Sequence, residues 1–222
     1  MKKIVLSLIA VGLLFSFGCS KNDNNSTGNN NENEKQFVES NPVDGKKIFA
    51  TFSKSNSWTV EPTVNNLVQE SDSIARIKVL SKDEPLFFET LDPFPLTPIN
   101  VEVLEILSGD EISSPTKIYE SGGTVSVEKI AKNFDEEKIK KMGIDTLSEE
   151  EKATNYIEYS SETQYPLNEG EEYLVILYKQ PSNIYLIAAE GYGVFKTNDT
   201  INTLSKSKIY NNVLTDEEFS IN

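Results

Sequence analysis

The chain has 222 residues, with 35 Asp+Glu against 21 Lys+Arg, no histidine and a single cysteine, Cys19. Its acidity repels nucleic acid and anionic lipid. The missing imidazole removes the commonest general base and zinc ligand, and every Ser-His-Asp or Cys-His arrangement with them. Any enzyme built on this chain works with carboxylates, lysine or tyrosine, and its motifs imply no metal and no cofactor.

The first element is Met1-Lys2-Lys3 followed by the apolar run Ile4 to Phe17, then Gly18 and Cys19. The run is shorter than the ~20 apolar residues a helix needs to cross a bilayer. The two lysines hold its start on the cytoplasmic side. A charged start, a short apolar run and a small residue read as an export signal over residues 1–18, cut between Gly18 and Cys19. Phe15-Ser16-Phe17-Gly18-Cys19 resembles the bacterial lipobox, with Ser16 and Phe17 where leucine and a small residue are usual. That resemblance implies a lipoprotein carrying diacylglycerol and palmitate on Cys19, anchored on the extracytoplasmic face of the cell membrane. One acyl chain binds a membrane only marginally, at about 0.8 kcal/mol per methylene, whereas two chains retain a protein stably. The blander reading is an ordinary signal or a retained anchor helix with an incidental cysteine. With Cys19 lipidated, no thiol is left for a disulfide, and the domain must be stable by its core alone.

Residues 19–36 follow as a tether. Ser20 to Gln36 contains no apolar side chain, so nothing offsets the entropy of ordering it. As a flexible coil it reaches about 20–25 Å. Asp23, Asn25, Thr27, Gly28 and Glu34 have the spacing of a calcium-binding EF-hand loop. The flanking helices are missing, Asn30 replaces the usual apolar residue, and an asparagine-rich tract produces the pattern by chance. Once residues 1–18 are removed, 19 basic residues face 35 acidic ones, which leaves the lipid rather than a basic patch as the membrane contact.

Residues 37–222 read as one domain. Lys46 to Phe52 is short and β-prone. Pro62 opens a helix over Thr63 to Glu70, with Val64, Leu67 and Val68 at helical spacing. Ser73 to Leu80 alternates Ala75, Ile77 and Val79 with Arg76 and Lys78, the pattern of a half-buried strand. Residues 81–98 contain Pro85, Pro93, Pro95 and Pro98 and read as an irregular loop. Strands follow at Ile99 to Leu107, closed by Ser108-Gly109-Asp110, and at Thr116 to Glu120, stopped by Gly122-Gly123. Residues 126–154 read as a solvated helical insertion, its charge run outward. Capping-box spacing occurs there at Asn133/Glu136 and Ser148/Glu151, with a glycine stop at Gly143. Tyr156 to Tyr159 resumes the β pattern. Glu171 to Lys179 is apolar on both faces, as expected of a fully buried strand. Asn183 to Ala189 and Gly193 to Lys196 are expected to pair around Glu190-Gly191-Tyr192, and Leu214 to Phe219 to form a terminal helical turn. The fold class is therefore mainly β, a small antiparallel barrel with one N-terminal helix and a helical insertion.

The order of motifs resembles a class of exported bacterial domains of uncharacterised activity. Leu67-Val68-Gln69-Glu70-Ser71-Asp72-Ser73-Ile74-Ala75 matches its helix, Ser-Asp pair and first strand. Val101-Glu102-Val103-Leu104-Glu105-Ile106-Leu107-Ser108-Gly109, the Gly122-Gly123 pair, Gly170-Glu171-Glu172-Tyr173-Leu174-Val175-Ile176-Leu177 and Gly193-Val194-Phe195 follow in the same order. The class is similar to the OB-like barrel of netrin and metalloproteinase-inhibitor modules. The resemblance covers residues 62–205 apart from 126–163, and it implies a fold rather than an activity. The inhibitor modules act through a disulfide-bound N-terminal cysteine, a mechanism that Cys19, alone on a remote tether, does not carry over.

Three candidate sites stand out. Tyrosines such as Tyr173, Tyr185 and Tyr192 would stack on an oligosaccharide if they lined an open strand face, although tyrosine also simply favours half-buried strands. Glu169, Glu171 and Glu172 would serve hydrolysis only if held across a cleft, and as sequence neighbours they read as a solvated turn. Gly191-Tyr192-Gly193 lacks the lysine and helix of a phosphate loop and reads as a hairpin turn or bulge. The expectation is a non-catalytic binding module for a cell-surface protein or glycan. The alternatives are a carboxylate-dependent hydrolase and an accessory subunit of a membrane complex.

Overall fold

A computed structural model describes residues 45–88, 92–180, 184–198, 208–215 and 217–221. The signal, Gly18, Cys19 and the tether lie outside the described residues.

The domain is mainly β. The chain runs through β1 (Lys47–Lys54), α1 (Val64–Glu70), β2 (Ser73–Lys82), β3 (Leu86–Phe88), β4 (Asp92–Gly109) and β5 (Thr116–Ser121). The insertion follows as β6 (Gly123–Ser126), α2 (Val127–Asn133), α3 (Glu136–Lys141), α4 (Glu149–Thr154) and β7 (Asn155–Ser161). It ends with β8 (Glu172–Gln180), β9 (Ile184–Ile187), β10 (Val194–Asn198), β11 (Lys208–Asn212) and β12 (Glu218–Ile221).

Strand β8 organises the larger sheet. One edge pairs antiparallel with β2, from Ser73 opposite Leu177 to Lys78 opposite Glu172. The other edge carries two strands end to end, β10 at Leu174 and Val175 and β9 from Leu177 to Gln180. Strand β2 continues to β4, β4 to β5, and β5 pairs parallel with β9. Hydrogen-bonded pairs thus lead from β8 through β2, β4, β5 and β9 back to β8. The inward side chains of these strands, among them Ala75, Ile77, Ile99, Val101, Ile118, Val175 and Leu177, are almost wholly buried in one cluster. Each such aliphatic side chain contributes about 1.5–3 kcal/mol on burial. Register shifts at Ile74/Ala75, Arg76/Ile77 and Val79/Ser81 bend β2 around this core. At the strand end Gly109 has φ 89°, and a Cβ there would lie 1.9 Å from the Asp72 carbonyl oxygen.

The both-sided hydrophobicity of β8 has a direct cause. Tyr173, Val175 and Leu177 face the first cluster, while Leu174 and Ile176 pack in a second with Leu67 of α1, Phe195 and Tyr210. Helix α1 is started by Thr63, whose hydroxyl accepts from the Asn66 N–H.

The insertion is less solvated than its charge suggests. β1 pairs parallel with β7, and β6 antiparallel with β7. Their inner face and the helices enclose a third core of Val125, Val127, Ile130, Ile144, Ile157 and Tyr159. Phe87 stands edge-on to Phe134 at 4.9 Å and to Tyr159 at 5.9 Å, joining the β3 region to the insertion. The charge run forms exposed i,i+4 pairs such as Lys141–Glu137, which solvent screens. Ser148 and Glu151 form the expected capping box, and Gly143 adopts the left-handed conformation expected of a stop. The Asn133/Glu136 spacing is not used, because Asp135 caps α3 instead.

Three further expectations are corrected. Residues 92–98 are strand, not loop. The prolines lack only donors, and their carbonyls still pair: Pro95 O accepts from Gly122 N–H at 2.8 Å and Pro98 O from Asp83 N–H at 2.9 Å. β9 and β10 do not pair with each other, because Ala189 and Glu190, with φ of 45° and 57°, turn the chain so that β10 lands further along the same edge of β8. Leu214 and Thr215 lie in a turn, and Glu218 and Phe219 belong to β12. The Asn212 side chain accepts from the Leu214 and Thr215 N–H groups, which draws them into a local turn and away from a helix.

Candidate functional site

The site forms where the end of β1 and the residues after it meet the turn at 189–193. Lys54, Asn56 and Trp58 alternate, and all three reach that turn. Lys54 Nζ lies 3.3 Å from Glu190 Oε1. Asn56 Nδ2 donates to Glu190 Oε2 at 2.9 Å and to Thr163 Oγ1 at 2.8 Å. The Trp58 ring meets Tyr192 edge-on, 6.4 Å between centroids. Asn212 fixes the turn from beneath, its Nδ2 donating to the carbonyls of Gly191, Tyr192 and Val194.

Glu190 is the centre of this arrangement. Its side chain is 9% exposed. Thr163 Oγ1 donates to Oε2 at 2.6 Å, and Ser161 Oγ donates to the same oxygen. Burial pushes its pKa up, but the two hydroxyls and the Lys54 ammonium outweigh burial and hold the carboxyl below its ordinary value. Oε1 is closed to solvent beside the Lys54 ammonium.

A second buried carboxylate, Glu120 on β5, lines the same small cleft, together with Ser121, Gln164 and Tyr165. The cleft has room for little more than a water molecule. Glu120 pairs with Lys82 at 2.7 Å and accepts from the Leu167 N–H at 3.4 Å. Here burial dominates, and the carboxyl is raised above its ordinary value despite the lysine. Each buried carboxylate therefore has its own ammonium. What remains open is aromatic: Trp58 is 38% exposed and meets Tyr192 edge-on.

The tyrosines singled out from the sequence part company. Tyr173 is fully buried, its hydroxyl donating to Glu171 at 2.6 Å, and burial pushes it up to about 12. Tyr185 is buried in the same core with the Lys179 ammonium 5.6 Å from its ring centre. Neither ring is open for stacking, because alternation on β8 and β9 turns both inward. Tyr192 is half-buried and at the surface with Trp58. The acidic trio is not drawn together across a cleft: Glu169 accepts from the Lys82 N–H, Glu171 pairs with Lys196, and Glu172 with Arg76. Gly191-Tyr192-Gly193 belongs to a 3-10 turn, neither a phosphate loop nor a hairpin.

Sequence reasoning passed over Trp58 and Glu190. The alternation Lys54, Asn56, Trp58 was a usable signal, and the only tryptophan of the chain stands at its end. Among the described residues no three acidic or sulfur side chains gather as a metal site, and no helix is long and apolar enough to cross a membrane. No family model matches the chain, and no curated protein matches it.

Proposed function

We propose that the chain is a lipid-anchored protein of the extracytoplasmic membrane face, cut behind Gly18 and held by the lipid on Cys19, whose folded part is a non-catalytic binding module on an OB-like barrel. The barrel reading is supported by the circuit of paired strands. Numbered by their order in the chain, those five run first, second, third, fifth, fourth, with the third and fifth parallel. The observation that carries the binding reading is that both buried carboxylates are paired with lysines in a cleft with room for little more than a water, while Trp58 is left open on a segment that contacts the turn at 189–193.

A fatty-acid label should tag the protein, and Cys19→Ala should abolish the label and release the chain from the membrane. Retention of the unlabelled variant refutes the anchor. Saturable sedimentation with cell-wall fragments or capture of a surface protein supports the binding role. A second reading, carboxylate-dependent hydrolysis, is favoured by one observation, that Glu120 and Glu190 line one cleft with pKa values moved in opposite directions. Bond cleavage in wall glycan that disappears in both Glu120→Gln and Glu190→Gln would establish it in place of the first.

A further inference from the structure

Resting on the binding-module reading, we propose that Trp58, Tyr192 and Asn56 form a subsite for one neutral pyranose unit of a glycan chain. Trp58 supplies the platform. It lies in an irregular segment, yet two contacts fasten that segment to the turn, Asn56 to Glu190 at 2.9 Å and Trp58 to Tyr192 at 6.4 Å. The interplanar angle of 86° sets Tyr192 as a brace rather than a cover, and the indole stays 38% exposed. A ring held this way spends little conformational freedom when a flat apolar surface is laid on it. The C–H face of a pyranose is such a surface.

Two residues before the platform in the chain, Asn56 brings a polar amide to the same turn. Asn56 and Thr163 each both donate and accept, as sugar hydroxyls do. Asn56 links the platform to the turn, bonded to Glu190 and two residues from Trp58 in the chain.

Charge disfavours cationic and anionic ligands. An ammonium-rich peptide needs an uncompensated carboxylate next to the aromatic ring, and Glu190 is already paired with Lys54. An anionic polymer meets a chain with 14 excess negative charges. A neutral chain of sugars meets neither obstacle.

Because Trp58 is the only tryptophan, its fluorescence reports this subsite alone. The detergent-solubilised full chain is titrated with cellotetraose, maltotetraose and the tetramer of N-acetylglucosamine, and with pentalysine as the cationic control. The expected result is a saturable change with at least one neutral tetrasaccharide and none with pentalysine. Asn56→Ala should weaken that binding about 3- to 10-fold, the loss of one hydrogen bond. Calorimetry should show Trp58→Phe binding more weakly and Trp58→Ala not at all, with unchanged circular dichroism for each. Silence toward all three sugars overturns the subsite, as does binding that Trp58→Ala leaves intact. If the sugars fail while the chain still captures a surface protein or wall fragment, the glycan assignment falls and the binding module stands. If nothing is bound or captured, both fall.

Discussion

Replacing Lys82 by methionine isolates the energetics of the buried pair. Lys82 Nζ lies 2.7 Å from Glu120 Oε1, and the carboxylate side chain is 9% exposed. With the ammonium gone, the Leu167 N–H at 3.4 Å is the remaining donor to that carboxylate. Stripping one partner from a fully buried pair costs about 3–5 kcal/mol. Lys82 is 27% exposed, so water enters its place and lowers the expected cost to about 2 kcal/mol. With a urea slope of about 2 kcal/mol per molar, the midpoint should fall by about 1 M. The cost should also depend on pH with a definite sign. Glu120 is raised above its ordinary 4.5, so its neutral form is the one folding favours. Stability linked to it is complete below 4.5 and is lost as pH rises through the folded value. The penalty of Lys82→Met should therefore be largest near about pH 8 and shrink toward about pH 5. The double variant Lys82→Met/Glu120→Leu, which removes both charges, should recover most of the loss. Urea titrations at the two pH values measure all of this. An equal penalty at both, or a double variant worse than the single one, refutes the account.

Glu190 should behave oppositely. Its lowered pKa makes its contribution present above 4.5 and lost as pH falls through the folded value, so Glu190→Gln should flatten the acid limb of the stability curve. Gly109→Ala places a Cβ 1.9 Å from the Asp72 carbonyl oxygen at φ 89°, and should cost more than about 2 kcal/mol, a melting decrease of about 5 °C or more; an unchanged melt would refute the steric reading. Ser148→Ala breaks the capping box of α4 and should cost about 1 kcal/mol by the same assay, while Asn133→Ala, whose expected cap is not formed, should cost less.

The legible parts of the fold were those where one side-chain pattern meets one environment. The alternation in Ser73 to Leu80 and the two-sided apolarity of β8 both follow from what lies on each face, so the sequence carries them directly. Pro95 and Pro98 misled because a proline removes a donor but leaves an acceptor, and β4 uses those acceptors. The turn after β9 was hidden because Ala189 and Glu190 hold left-handed backbone that neither residue type announces. Leu214 to Phe219 kept its capping spacing, but Asn212 offered those N–H groups a nearer partner. Of the candidate site, only Tyr192 was read from the chain. Asn56 and Glu190 stand 134 positions apart, and no local pattern reports that they meet. Tyr173 and Tyr185 were visible as residues, but their inward direction depends on the closure of β9 against β8 and β5.

That closure also sets when the domain can exist at all. Strand β2 begins at Ser73, yet its partner β8 begins at Glu172 and the closing strand β9 ends at Ile187. A chain appearing N-terminus first therefore lacks the last wall of its main core until Ile187 has emerged. Until then Ile77, Ile99 and Ile118 have no enclosed interior to enter. Such non-local pairing makes folding slow, and residues 73–171 are made before their core can close. The strand that completes the core acts as a latch on the timing of folding.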